Sequence, residues 1–520
     1  MKEKVQKFKL ELMAGSMVHW IGLVSFGFLL IASLLFTRYF PADYQGEIPL
    51  SRIDWIPITL LETVALGAVI LYLSRKLVCQ EETAERNVRI LLGLVLGWIA
   101  VFGVSWALLS KSIPVSDQYM ITSSAERFAQ GNFGRFEYGK YLYYYPFQLG
   151  MAAYEELIFR LFGLNNYLAL KLINVAGIAA GVFAGYRITR ILFSKIWIAV
   201  SFLLLYGTCF PLLIFSTYVY GDVLAVGLCL FSVWQFLRYV KEEKKSGFWL
   251  FLLGMILAVL LRTNSLIVFI ASGCVWAVKA VSERRWKYLL CILLSVLCVT
   301  GSGKCLEKVY EYRSGMTINE GMPSILWIAM GMQEGDKEAG WYNGYSIYIY
   351  QDTCQYEEDT ASELGKAEIH ARAKEFLKNP GYALDFYWRK FSSQWSEPTY
   401  GCFIMTYAAE EEREAIGESL YTGTLNRILQ GFMNAYQLLI YASVLLLLIR
   451  RRKTKEPLEW YILLIAVIGG VLFHLLWEAK SRYVLPYFVF MLPMAAAGLY
   501  EIKEMLQHGR TKDETAETGR

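Results

Sequence analysis

Charge is what this sequence has least of. Asp, Glu, Lys and Arg make up 19% of its 520 residues, against 56% apolar and 15% aromatic, which excludes an ordinary soluble domain and reads as a polytopic membrane protein. Paired cysteines are missing too. The nine cysteines are scattered, most of them inside apolar runs, with no CxxC and no Cys/His ligand spacing, so neither a disulfide framework nor structural zinc is expected. Cys354 and Cys402 share one polar segment and are expected as free thiols. The four histidines offer no ligand-spaced pair: His19, His370 and His508 stand alone, and His474, late in an apolar run, reads as a packed polar residue. No His metal site is expected. No period of 20–50 residues recurs, which argues against a repeat architecture. The first run, "MVHWIGLVSFGFLLIASLLF", lacks a small-residue cleavage site and is read as a mature helix.

What is there is apolar sequence in long runs. About twelve runs are each long enough to cross roughly 30 Å of hydrocarbon, near 17–36, 55–74, 90–110, 167–189, 196–216, 219–238, 248–263, 264–280, 287–304, 431–449, 458–477 and 484–501. Basic residues gather on alternate connections ("MKEKVQKFK", "YRITRILFSK", "VSERRWK", "IRRRKTK"). By the positive-inside rule these connections and both termini face the cytoplasm. The net charge of +5 therefore sets orientation and carries no nucleic-acid footprint. Segments 111–166 and 305–430 and the short "WEAKSRY" fall on the exterior face. The expected fold is an all-α polytopic membrane protein with exterior juxtamembrane helices and one exterior soluble insert. Its parts are two additional N-terminal helices (1–89), a membrane core (90–304, with the exterior loop 111–166), the insert (305–430), C-terminal spans (431–502) and a cytoplasmic tail (503–520).

"PFQLGMAAYEELIFRLFG" is helix-like, but Gln148, Glu155, Glu156 and Arg160 are too many polar groups for a lipid-facing span. It is read as an amphipathic helix lying in the outer interface. Gly177, Gly181 and Gly185 at i, i+4 and i+8 give the next span a smooth face for a closely packed neighbour. In 305–430, acidic runs flank one helical stretch, "SELGKAEIHARAKEFLKNPGYALDFYWRKF".

Several polar groups then fall at outer helix ends: Asp117 in "KSIPVSDQYM", Asp222 in "TYVYGDVLAV", Arg262 in "LLRTNSL", Lys390 in "FYWRKFSSQW", and Glu478 with Arg482 in "WEAKSRYVLP". Each has a bland reading. Asp117 is a solvated loop carboxylate, Asp222 a helix cap, Arg262 a snorkelling side chain, and Lys390 the partner of a nearby acid. Glu478 and Arg482, at i, i+4, form a helix-end salt bridge worth tenths of a kcal/mol, and Tyr143, Tyr144 and Tyr145 an interfacial aromatic belt. Their common level favours an interior cavity there.

This order of features resembles the GT-C superfamily, multi-span glycosyltransferases that use polyprenyl-phosphate sugars and include protein O-mannosyltransferases and aminoarabinose transferases. The resemblance rests on an acid just after an outer helix end, the "YPxQxG"-type opening of a juxtamembrane helix ending in "LFG", and "EAKSRYVLPY". It covers roughly 90–500. The chain departs where many relatives have a second acid, here Gln118, and two prolines, here Pro146-Phe147. No DxD occurs in the first exterior segment, so metal dependence stays open: no cofactor is assigned, and a divalent metal is left as an option.

The resemblance implies an inverting hexosyltransfer from a polyprenyl-phosphate sugar to a hydroxyl of a cell-envelope glycan or protein, on the exterior face. Asp117 would be the general base. Arg482, with Lys390 and Arg262 behind it, would bind the donor phosphate, and Glu478 would orient Arg482. Asp222, Tyr145 and Gln148 would support. The alternatives are a polysaccharide polymerase or ligase, in which loop arginines grip a diphosphate-linked glycan and Asp117 is incidental, and a transporter of lipid-linked sugars, for which paired broken spans and deep charge pairs would be expected.

Overall fold

The computed structural model describes residues 2–41, 46–78, 80–409 and 411–517, with the side chains of 2–9, 81 and 509–517 left aside. In hydrocarbon every backbone donor and acceptor must be satisfied within its own segment, so long apolar runs become helices. Ten helices among the described residues are long and apolar enough to cross a membrane. They include α1 (Lys2–Leu35), α2 (Ile56–Leu77), α3 (Glu81–Leu109), the later α6 (Tyr167–Leu192) and α9 (Asp222–Lys241). Two of the twelve expected spans differ. The run near 196–216 is a pair, α7 (Ile196–Gly207) and α8 (Phe210–Ile214), bent by 48°, where Pro211 cannot continue the preceding hydrogen-bond ladder. The run near 248–263 is α10 (Lys245–Leu261), short at 17 residues, which stops at Arg262.

Between α3 and α6 lie two shorter helices, α4 (Asp117–Ala129) and α5 (Leu149–Phe162), the latter being the amphipathic helix read from the sequence. The chain continues through α11 (Leu266–Ser282) and α12 (Lys287–Ser314). The helix α12 runs past residue 305 because its last turns, though polar, keep helical bonding beyond the apolar run. Further on come α13 (Glu358–Lys378), α14 (Pro380–Trp395), α15 (Thr424–Arg451), α16 (Ile462–Leu476) and α17 (Leu485–Glu517). The single stretch read as helical in the insert is thus two helices. Asn379 caps the second, its Oδ1 accepting from Tyr382 N at 3.2 Å, and Pro380 takes the first helical position, where its missing N–H costs nothing.

The fold is not purely helical. Between α1 and α2 the chain makes an antiparallel pair, β1 (Phe36–Tyr39) and β2 (Leu50–Ile53), in register Phe36↔Ile53 to Tyr39↔Leu50. The two N-terminal helices lie against the bundle with much of their surface outward: α1 packs on α15, α11 and α16, and α2 on α15 and α7.

The glycine face of α6 is used as its spacing suggests. A Cβ on Gly177 would meet Leu224 Cδ2 at 2.7 Å, and one on Gly185 would meet Phe202 Cζ at 2.4 Å. From α9, Gly227 closes the crossing, since a Cβ there would lie 2.5 Å from Gly177 O. The obstacle is backbone, which cannot swing away. Gly227→Val is therefore expected to separate α6 from α9 and lower the melting temperature of the purified protein, at the scale of roughly 1–3 kcal/mol seen for overpacked cores. An unchanged melting temperature would contradict this packing.

Candidate functional site

At one end of the bundle α3, α10 and α16 finish and α9, α11 and α17 begin. Gly221, at φ +81°, opens α9; a Cβ there would lie 2.6 Å from Leu261 O, so only glycine permits this approach. The next residue, Asp222, sits in the first turn of α9, where the helix dipole favours an anion. Its Oδ1 is 3.1 Å from Arg262 Nε and its Oδ2 accepts from Arg482 Nη1 at 2.8 Å. All three side chains are nearly buried. Two guanidiniums facing one carboxylate leave a positive charge over. Tyrosine faces surround them: the Arg482 guanidinium lies 5.0, 4.9 and 5.1 Å from the rings of Tyr218, Tyr220 and Tyr483, and that of Arg262 lies 4.9 Å from Tyr220. Such contacts stabilise a desolvated cation by about 0.5–2 kcal/mol each, and Arg482 Nε still lacks a hydrogen-bond partner.

Asp117 starts α4 and is exposed. The segment before it departs from ordinary backbone at Lys111 (φ 46°) and Ser116 (φ 52°). It is held from outside: Ile113 N donates to Ala408 O at 2.9 Å, Ser112 pairs with Ala409, and Lys171 Nζ donates to Ser112 O at 2.6 Å. Gln118 is buried and acts as a strut, its Oε1 accepting from Val219 N at 3.0 Å and its Nε2 donating to Met405 O at 3.3 Å. Asp117 Oδ2 accepts from Tyr220 Oη at 3.3 Å, and Tyr220 Oη accepts from Gln148 Nε2 at 2.7 Å. Tyr220 thus touches the carboxylate with its hydroxyl and both arginines with its ring. The sequence reading missed it, although "TYVYGD" places it two residues before Asp222.

Glu478 does not pair with Arg482. The i, i+4 expectation supposes a helix, but α16 ends at Leu476, and Ala479 instead forms a parallel bridge with Trp341, its N–H donating to Gly340 O at 2.8 Å. Arg482 turns to Asp222, and Glu478 accepts from Tyr483 Oη at 3.4 Å. Burial holds the Glu478 carboxyl above its ordinary range; Lys480 pulls it down, while Glu47 and Asp117 push it up. Tyr145 is raised by burial and then by Tyr342, Asp117 and Glu478, which puts it beside the same carboxylates. Tyr143 and Tyr144 instead cluster with Tyr356.

Lys390 lies apart from the arginine pair. It is fully buried, its ammonium donates to Gly331 O, and its stem runs where a Cβ on Gly340 would lie 2.7 Å from Lys390 Cδ. It props the 477–480 segment from behind. Among the described residues no three His, Cys, Asp or Glu side chains converge as a metal-ligand set. A small pocket of about 20 Å³ lies between α9, α11 and α17, with Asp222 and Arg262 at its polar end and Ala225, Val226, Val268 and Phe490 along its wall.

Burial lowers Lys390 to about 7, with Glu478 pulling the other way. An unfolded lysine keeps its proton to about 10.4, so between pH 7 and 10 the unfolded chain binds more protons and this residue makes stability rise with pH, by up to about 1.4 kcal/mol per unit. Lys390→Met should melt above wild type at pH 7, the gap closing toward pH 10. A gap that does not depend on pH would show that Lys390 is charged throughout.

No protein-family profile matches the sequence, and no curated protein matches it. Among solved structures, the chain is similar to ArnT from Cupriavidus metallidurans, in its crystal structure bound to undecaprenyl phosphate, at 13% identity and a TM-score of 0.33 over 78% of this chain and 78% of that one. An overlap that loose assigns neither fold family nor function.

Proposed function

We propose that this protein is a GT-C-like membrane glycosyltransferase that moves a sugar from a polyprenyl-phosphate donor to an acceptor hydroxyl. One observation carries the reading: the buried Arg262–Asp222–Arg482 cluster, with its surplus positive charge, borders a small apolar-walled pocket between helices and is joined through Tyr220 to the exposed Asp117. A lipid phosphate has this same division into an anionic head and an apolar tail.

In the reaction Asp117 takes the acceptor proton as the new C–O bond forms at the anomeric carbon. The sugar–phosphate bond breaks with its electron pair going to the lipid phosphate. General-base help of this kind is worth about 10²–10⁴-fold. Charge grows on the phosphate oxygens as the bond breaks, and Arg482 and Arg262, already fixed and poorly hydrated, stabilise it without reorganisation. Arg482 offers free N–H donors in a planar fork suited to phosphate. Lys390, whose charge burial weakens near pH 7, supports the 477–480 segment from behind, and Glu478, Tyr145 and Gln148 shape the mouth. Attack opposite the leaving phosphate inverts the anomeric centre.

The alternating basic connections support placing 315–423 on the cell exterior and both termini inside. Cysteines introduced at the exposed positions Lys366 and Thr454 test this. A membrane-impermeant thiol reagent is expected to label 366 and spare 454 in intact cells, and the opposite pattern would overturn it.

The chemical test separates binding from turnover. Asp117→Asn should keep donor binding while transfer falls by at least about 10²-fold. Arg482→Ala should lose donor affinity, and Arg482→Lys should recover it only in part, because the ammonium lacks the fork. Transfer near the wild-type rate by well-folded Asp117→Asn would remove Asp117 as the base, and unchanged donor affinity in Arg482→Ala would remove the phosphate assignment.

A further inference from the structure

Glu47, in the described part of the loop between β1 and β2, reaches the mouth of the site. Glu47 Oε2 lies 2.7 Å from Lys480 Nζ and 3.5 Å from Lys337 Nζ. The three residues come from three distant parts of the chain: the N-terminal hairpin loop, the 331–342 connection, and the 477–482 segment that also carries Glu478 and Arg482. The last two are tied by the Trp341↔Ala479 bridge, and the hairpin is laid over them by Phe40, packed edge-on to Trp341 with ring centroids 6.1 Å apart. Arg38 fixes its base, with Nη1 on Glu338 Oε2 at 2.7 Å and its N–H on Ser396 O at 3.0 Å. The hairpin therefore stays in place without Glu47.

Two ammonium groups meeting on one carboxylate oxygen are what an oxyanion site looks like when an internal anion fills it. The side chains remain reachable from water, Lys480 at 17% exposure, Glu47 at 24% and Lys337 at 28%, unlike Arg482 at 4%. Against burial, which raises it, Lys480 and Lys337 lower the Glu47 carboxyl to about 2, so it is an anion at any physiological pH. Lys480, which holds Glu47, stands two residues from both Glu478 and Arg482, which puts this group beside the site.

We propose that Lys337 and Lys480 form an anion subsite at the mouth of the site, filled by the Glu47 carboxylate in this structure, and that the acceptor is a saccharide whose phosphate or carboxylate replaces Glu47 there. The word acceptor rests on the glycosyl-transfer reading; the anion subsite does not. The donor phosphate is held by the buried arginines, so the water-facing lysines select the second substrate. Glu47 works as an internal competitor that an anionic acceptor can displace and a neutral sugar cannot.

The test is calorimetric titration of the full-length protein in detergent with glucose 6-phosphate, glucuronate and glucose. If Glu47 fills the subsite about nine-tenths of the time, removing it raises the apparent affinity about tenfold. Glu47→Gln is expected to show that gain for glucose 6-phosphate, for glucuronate, or for both, and none for glucose. The anion that gains identifies the acceptor's charged group as phosphate or carboxylate. Adding Lys480→Met to Glu47→Gln should abolish the gain, and adding Arg482→Ala should leave it. Absence of any gain, or a gain that survives Lys480→Met, overturns the proposal. So does a gain lost with Arg482→Ala, which would place the anion among the arginines and leave the donor reading standing. Should Glu47→Gln fold poorly, Glu47→Asp, with its charge drawn back by one methylene, takes its place and is expected to gain less, while no gain from it in a folded protein overturns the proposal.

Discussion

One carboxylate holds this site together. Asp222 accepts from Arg482 and sits against Arg262, so the start of α9, the break between α10 and α11 and the start of α17 all meet on its two oxygens. Burying such a cluster costs several kcal/mol per ion in desolvation, which its mutual attraction only partly offsets, and removing one partner from a buried pair typically costs about 3–5 kcal/mol. A pure fold would do as well with apolar side chains there. What apolar residues cannot provide is a fixed, half-compensated positive charge. The imbalance of two guanidiniums to one carboxylate is therefore the feature that asks for an anionic partner, and the tyrosine faces around it keep the cations tolerable in the meantime.

The rest of the site divides by water. The arginines are buried and Asp117 is exposed, though Tyr220 contacts both, and the two halves of the proposed phosphate-leaving displacement have those opposite needs. Stabilising the leaving group works best where the dielectric is low, whereas a base that takes a proton from a polar acceptor must stand where that acceptor can arrive. Gln118 and the 405–409 segment hold Asp117 at this boundary, and Gly221 lets α9 begin close enough to α10 for Asp222 to reach Arg262.

Hydropathy made the spans legible, because an apolar run of membrane length has one stable answer. It did not show where helices end: α12 continues in polar sequence to Ser314, and the bend at Thr208–Pro211 hides within one apolar run. The glycine face of α6 was legible because spacing alone determines it. The partner of Arg482 was not, since the i, i+4 spacing of Glu478 and Arg482 has meaning only on a helix, and residues 477–480 are pinned as an extended segment by Trp341. Lys390 was legible as a cation near the site, but its direction depends on Gly331 and Gly340, which lie 50 or more residues away in sequence. Tyr220 looked like one more interfacial aromatic, because nothing local marks a hydroxyl that will meet Asp117.

The part up to residue 89, read from the sequence as an addition, packs against the helices that follow it. The helices α1 and α2 pack along α15, and their connecting hairpin donates backbone and side-chain bonds to Ser396 and Glu338, next to the segment that carries Glu478 and Arg482. Its strands are four residues each, too short for any alternation to register as a pattern, so the sequence gives no warning that this connection lies over the site. A loop tied at its base by Arg38 and Phe40, yet ending in an acid that faces two lysines, has separated its structural fastening from its charged contact. That separation is what a specificity element requires, because its anion can be exchanged for a substrate's without undoing the packing that carries it.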